Sequence, residues 1–133
     1  MLKFVPSFRI SQVAELLGVS DDTVRRWVST GVLSVELDAS NRKVVDAEEV
    51  AGFALGQVDV RPGHTSARNR LPGIVTRVLA DGVMAQVEIA AGRYRLVSLM
   101  SAEAAQELGL RPGVLATAVV KATNVIVEVP PTP

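Results

Sequence analysis

Two short segments about fifty residues apart place hydrogen-bond donors beside single cations. One is Thr65-Ser66-Ala67-Arg68-Asn69, followed by Leu71 and Gly73; the other is Val120-Lys121-Ala122-Thr123-Asn124. Each joins small hydroxyl or alanine residues to one guanidinium or ammonium, and each borders a β-rich stretch. A tetrahedral dianion is held by such surroundings: a few N–H and O–H donors, close backbone approach and a positive charge. Taken singly, the same residues read as turn formers, a surface ion pair and an edge-strand lysine that blocks aggregation; anion binding follows from the joint pattern.

The elements that must carry these segments change character along the chain. Residues from about 9 to 54 read as mostly helical. Ser11 is placed to cap a first helix whose Val13, Ala14, Leu16 and Leu17 form an apolar stripe. Gly18 supplies a tight turn, and Ser20 caps a second helix with Asp21 and Asp22 in its first turn, where the helix dipole favours acids. Val24, Trp27 and Val28 form its buried face, and Gly31 stops it. Val35 to Val45 reads as a hairpin turning at Asp38-Ala39-Ser40-Asn41. Asp46 with Glu49 suggests a capping box opening a third helix through about Phe53.

Gly56, Pro62 and Gly63 mark a linker, and beyond it the hydrophobic period becomes two. Val83, Ala85, Val87 and Ile89 alternate with Met84, Gln86 and Glu88 after an Asp81-Gly82 turn. Ala91-Gly92 marks the next turn, and Tyr94, Leu96 and Met100 continue an inward face. Ser101 caps a short helix, Ala102 to Leu108, and strands from about Val114 to Val120 and Thr123 to Val129 follow. Five short strands and one helix predict a small closed or partly open β-barrel. The expected class is therefore α+β: a winged helix-turn-helix over residues 1–55, a linker over 56–64 and a small OB-like barrel over 65–130.

Composition narrows the chemistry. The 133 residues contain no cysteine and one histidine, His64. Disulfides, thiolate metal sites, cysteine catalysis and a multi-histidine metal site within one chain are thereby excluded. No phosphate-binding glycine loop, histidine dyad or paired carboxylates in an obvious cleft emerges, so no enzymatic activity is expected. There is no apolar run long enough for a membrane span and no signal-like start, which predicts a cytoplasmic protein. The formal charge of zero is unevenly divided: residues 1–60 hold six bases against nine acids, net −3, and residues 61–133 hold eight bases against five acids, net +3.

The run Phe8-Arg9-Ile10-Ser11-Gln12-Val13-Ala14-Glu15-Leu16-Leu17-Gly18-Val19-Ser20, leading into Thr23-Val24-Arg25-Arg26-Trp27, resembles the winged helix-turn-helix of the MerR and excisionase-like families. The resemblance covers about residues 8–54. It implies that Asp21 to Thr30 enter the major groove of double-stranded DNA, with Thr23, Arg25, Arg26 and Ser29 facing it. Asn41, Arg42 and Lys43 on the wing would touch phosphates or the minor groove. A net charge of −3 opposes strong non-specific DNA affinity, because that affinity scales with phosphates neutralised. A weak contact per chain, made useful by dimerisation, is the expectation.

Residues from about 65 to 129 resemble the Mop, or TOBE, domain of molybdate-binding proteins. The matching residues are Ser66-Ala67-Arg68-Asn69 with Leu71 and Gly73, the helix from Ser101-Ala102-Glu103 through Glu107-Leu108-Gly109-Leu110, and Val120-Lys121-Ala122-Thr123-Asn124-Val125. This resemblance implies molybdate or tungstate bound between subunits of a homo-oligomer. Ser66, Ala67, Arg68 and Asn69 of the opening segment would then join Lys121, Ala122 and Thr123, and Ser101 would offer its hydroxyl and N–H groups at a helix start. The family often carries a second hydroxyl three residues after the first in that helix; here the position is Ala104, so one type of site is expected to be weaker or absent. The expected function is a molybdate- or tungstate-binding transcriptional regulator. An intracellular molybdate storage protein without specific DNA binding is the alternative.

Overall fold

The computed structural model describes residues 6–58 and 64–131, and these fall into two compact units, one on each side of the undescribed stretch. The expected linker residues Pro62 and Gly63 lie outside the described residues, as do the first five residues and the last two.

The first unit runs β1 (Ser7–Arg9), α1 (Ile10–Leu17), α2 (Asp21–Ser29), β2 (Glu36–Leu37), β3 (Lys43–Asp46) and α3 (Ala47–Gln57). Helix α1 opens one residue before the expected cap: Arg9 takes the cap position and its backbone N–H donates to Gln12 Oε1 at 2.8 Å, so Ser11 lies inside the helix. Gly18 follows with φ +69°, a left-handed geometry that side-chain-bearing residues adopt at a cost. Ser20 then caps α2 as expected, its Oγ accepting from the Thr23 backbone N–H at 3.1 Å. The hairpin turn is held by Asp38, whose carboxylate accepts from the backbone N–H groups of Ser40 and Arg42 and from Arg42 Nε.

Two expectations in this unit need correction. Asp46 does cap α3, but its side chain makes no capping bond, and Glu49 does not complete a capping box. Glu49 instead accepts the backbone N–H of Ser34 at 2.7 Å, tying α3 to the loop that follows α2. The helix also runs four residues past Phe53. Strand β1, unread in the sequence because it is only three residues long, pairs antiparallel with β3, and β2 pairs with β3 on its other side. Buried Val13, Ala14, Val24, Leu33, Val45 and Val50 form the core, with Phe8, Ile10, Leu17, Val19, Trp27, Val28, Val35 and Phe53 packed around it. Leu16, expected in the apolar stripe, is largely exposed.

The second unit contains β4 (Asn69–Ala80), β5 (Met84–Ala91), β6 (Tyr94–Ser101), α4 (Ala102–Glu107) and β7 (Leu115–Val120), in one antiparallel sheet of order β6-β5-β4-β7. Asp81 builds the β4–β5 turn by accepting the N–H groups of Val83 and Met84 at 2.7 and 2.8 Å. Gly73 sits where any Cβ would lie 2.4 Å from the Ala90 carbonyl oxygen, so β4 and β5 approach closely there only because the side chain is absent. Val75, Val87 and Ile89 form the buried centre, with Val78, Leu96, Met100, Leu110, Val114, Ala116 and Ala118 packed against it. Tyr94 and Val83, expected to point inward, are exposed.

The expected fifth strand does not form within the chain. A 3₁₀ turn over Ala122–Asn124 follows β7, and residues 125–131 belong to no strand. The barrel is therefore a half-barrel of four strands, with β6 and β7 as its edges. The physical reason is that a strand needs a partner for its backbone N–H and C=O groups, and none is supplied to residues 125–129 by the described part of the chain.

Candidate functional site

The last register pair of β4 and β7 joins Asn69 to Val120. Asn69 reinforces it by donating from Nδ2 to the Val120 carbonyl at 3.1 Å. The two chemically suggestive segments, distant in sequence, are thus brought side by side at one end of the sheet. Arg68 immediately precedes β4 and Lys121 immediately follows β7, so a cation adjoins each member of that pair along the chain.

The local geometry prepares these groups. The Thr65 hydroxyl accepts the Ala67 N–H at 3.2 Å, and Arg68 Nη1 donates to the Thr65 carbonyl at 3.0 Å, folding the opening segment into a compact turn. Only part of the guanidinium is used, and its remaining N–H donors are free to face an anion. Ser66, Arg68, Lys121, Ala122 and Thr123 are exposed, while Ala67 and Asn69 are half-buried. Asn69 spends its amide on Val120, so it braces the junction. Lys121 opens the 3₁₀ turn that carries Ala122 and Thr123.

Ser101 stands apart. It pairs with Met84 at the start of β5, next to the Ala80–Ala85 pair that ends β4. A β4 strand of 12 residues at ~3.3 Å per residue separates that end of the sheet from Asn69 by roughly 35 Å. The Ser101 hydroxyl is also occupied as the α4 cap, accepting from the Ala104 N–H at 3.0 Å. One chain therefore assembles the Ser66–Asn69 and Lys121–Thr123 segments but does not bring Ser101 to them. An open groove of about 620 Å³ lies nearby, lined by Pro72, Gly73, Ile74, Ala90, Gly92, Leu115, Ala116 and Thr117. It presents no cation and so does not suit a dianion.

In the first unit, helical spacing sets the exposed face of α2. Arg25, Arg26 and Ser29 are exposed, whereas Thr23 is half-buried with its hydroxyl shared with Ser20 at 2.9 Å. Ser29 donates to the Arg26 carbonyl at 2.9 Å, Arg25 Nη1 binds Asp22 Oδ1 at 3.1 Å, and Arg26 has no ion-pair partner among the described residues. At the hairpin Asn41 takes φ +62°, Arg42 is tied to Asp38 at 3.1 Å, and Lys43 is exposed at the start of β3. The Arg42 and Ser40 N–H groups, with the Arg42 guanidinium, hold the Asp38 carboxyl below its ordinary range. Arg42 is thus partly neutralised and Lys43 is the freer wing cation. Sequence alone gives Asp22 only as a partner of the helix dipole; the signal for its ion pair is its place three residues before Arg25.

Fold and site together define a helix-turn-helix unit followed by a small antiparallel half-barrel with a cationic junction. A helix-turn-helix domain model matches residues 7–57 and a TOBE domain model matches residues 65–127. Molybdenum-pterin-binding protein 2 of Clostridium pasteurianum is 42% identical over 64 residues, which cover 47% of this chain and 93% of that protein. Molybdenum-pterin-binding protein MopA of Rhodobacter capsulatus is 36% identical over 81 residues, covering 60% of this chain but only 31% of that protein's length. A solved structure of a molybdate-binding protein from Sporomusa ovata aligns with a TM-score of 0.48 and 32% identity, covering 50% of this chain and 98% of that one. The chain belongs to the Mop family of TOBE-domain proteins, here carrying a helix-turn-helix domain ahead of the TOBE domain.

Proposed function

We propose that this protein is a cytoplasmic DNA-binding transcriptional regulator that senses molybdate or tungstate. The observation that supports the reading is the Asn69–Val120 pair, which brings the segment containing Ser66 and Arg68 alongside the segment containing Lys121 and Thr123. Molybdate carries two charges, four acceptor oxygens and no proton to donate at neutral pH. A donor-only site accepts it and disfavours protonated phosphate, which sets donor against donor. Family relatives named as molybdenum-pterin-binding proteins add weight to this ligand class.

The sites are shared between copies in a homo-oligomer. Support comes from the carboxy-terminal segment, where Ile126 is 94% and Val127 81% exposed, as is Leu115 at 82%. A second copy would cover this apolar surface, give residues 125–129 a strand partner, and bring a Ser101 to an Arg68–Lys121 junction. The DNA reading is supported by the exposed Arg25, Arg26 and Ser29 on the second helix of the motif. Anion occupancy then changes the spacing of two such helices, provided the anion binds one arrangement more tightly than the other.

The test is an anisotropy titration of operator DNA with the full chain, with and without molybdate. The expected result is a shift in operator affinity that R26A weakens without changing anion affinity. Unchanged DNA affinity at a saturated anion site rejects the regulator and favours storage.

A further inference from the structure

We propose that Asp22 is a specificity-determining residue of the DNA contact, fixing Arg25 on a guanine and itself accepting from a cytosine; this rests on the DNA-binding reading above. Asp22, Arg25, Arg26 and Ser29 are spaced i, i+3, i+4, i+7 and are all exposed, so they form one stripe along α2. Asp22 stands at its amino-terminal end, where recognition helices meet base edges. Its side chain is 94% exposed and binds Arg25 at 3.1 Å.

An acid on a DNA-facing stripe repels phosphate, and in a unit already net negative it further weakens non-specific binding. It gains a favourable contact only from a base-edge donor; in the major groove those are the amino groups of cytosine and adenine, and the N7 acceptor beside the adenine amino group repels a carboxylate, which leaves cytosine. A carboxylate has acceptor capacity left after binding one guanidinium N–H. Arg25, held by that bond, keeps further donors for the O6 and N7 acceptors of guanine. Thr23 is less well placed for this role, being half-buried with its hydroxyl already bonded to Ser20. The pair therefore reads a guanine together with a cytosine at the same or the adjacent base pair.

The experiment is selection from a randomised duplex pool, followed by affinity measurement, with full-length wild type, D22A and D22N. Wild type should enrich a motif containing the guanine and cytosine. D22A should keep the rest of the motif, lose discrimination at the cytosine about tenfold and bind mixed-sequence duplex more tightly at low salt. D22N should move the preference from cytosine towards adenine, because an amide matches adenine N6 and N7. Such a change of preferred base is not produced by a merely structural role. A wild-type motif that both variants retain unchanged overturns the assignment to Asp22 alone, as does a uniform loss on all sequences in both variants. A wild-type pool with no enriched motif overturns the DNA-binding reading and this inference with it.

Discussion

The two units solve the problem of burying apolar surface in different ways. The helix-turn-helix unit closes its core within one chain: six buried residues are wrapped by eight more, and Trp27 and Phe53 meet with ring centroids 4.7 Å apart. The half-barrel has a buried cluster of three, Val75, Val87 and Ile89, with seven more packed against it, and exposes Val97, Leu99, Leu115, Val119 and the 125–129 segment. A long helix-capped sheet can curl over its own centre, but an open sheet keeps two edges with unpaired backbone groups. The first unit thus closes its own core, whereas the second leaves apolar surface and two strand edges uncovered among the described residues.

The sharpest way to break this contrast is to remove the completing surface. Deleting residues 125–131, or making the pair I126D and V127D, should abolish the oligomer and reduce oxyanion binding below detection, while the thermal transition of the first unit stays in place. Light scattering and calorimetric titration read both results; a variant that remains oligomeric refutes the contrast. The converse change is L33A. Leu33 is 2% exposed, and its truncation should cost about 2–5 kcal/mol in the first unit while the oligomer and its anion affinity persist. Chemical denaturation followed by Trp27 fluorescence measures this.

Smaller effects sharpen the comparison inside the half-barrel. R68A and K121A should each lose about tenfold to hundredfold in molybdate affinity, since a hydrogen bond to a charged group contributes roughly 1.5–3 kcal/mol, with no change in melting temperature. Equal affinity for both variants and wild type would detach the junction from the anion. The smallest effect is acid sensitivity at the β4–β5 turn. The N–H groups of Met84 and Val83 hold the Asp81 carboxyl below its ordinary 3.8. A depressed folded pKa contributes stability that is fully present above the unfolded value and is lost as pH falls through the folded one. Wild type should therefore melt higher than D81N near neutrality, and the gap should close as pH falls from 3.8 through the lowered folded value. Melting curves of the two proteins across that range provide the check.

Much of the fold is legible in the sequence because local signals and tertiary structure agree. Ser20, Gly18 and Asp81 act as their types predict, and the period-two pattern from Ala85 to Ile89 marks the buried face of β5. What escapes depends on distant partners. Glu49 reads locally as a capping residue, yet it binds Ser34, fifteen residues away. Strand β1 exists because β3 pairs with it, and three residues carry no periodicity of their own. Alternation makes the segment from Thr123 to Val129 read as a strand, but a pattern does not supply a partner. At the site, the grouping of residues 66–69 with 121–123 is legible from residue type, while the separation of Ser101 is not. Register decides it: Ser101 faces Met84, whereas Asn69 faces Val120.

That separation has a consequence for counting. Each copy offers a cationic junction at one end of its sheet and a capped serine at the other. If two copies related by a two-fold axis join one copy's serine end to the other's junction, the reciprocal meeting is imposed by the same rotation. Such a pair would then carry two equivalent places for ligand, and binding would saturate at one per chain.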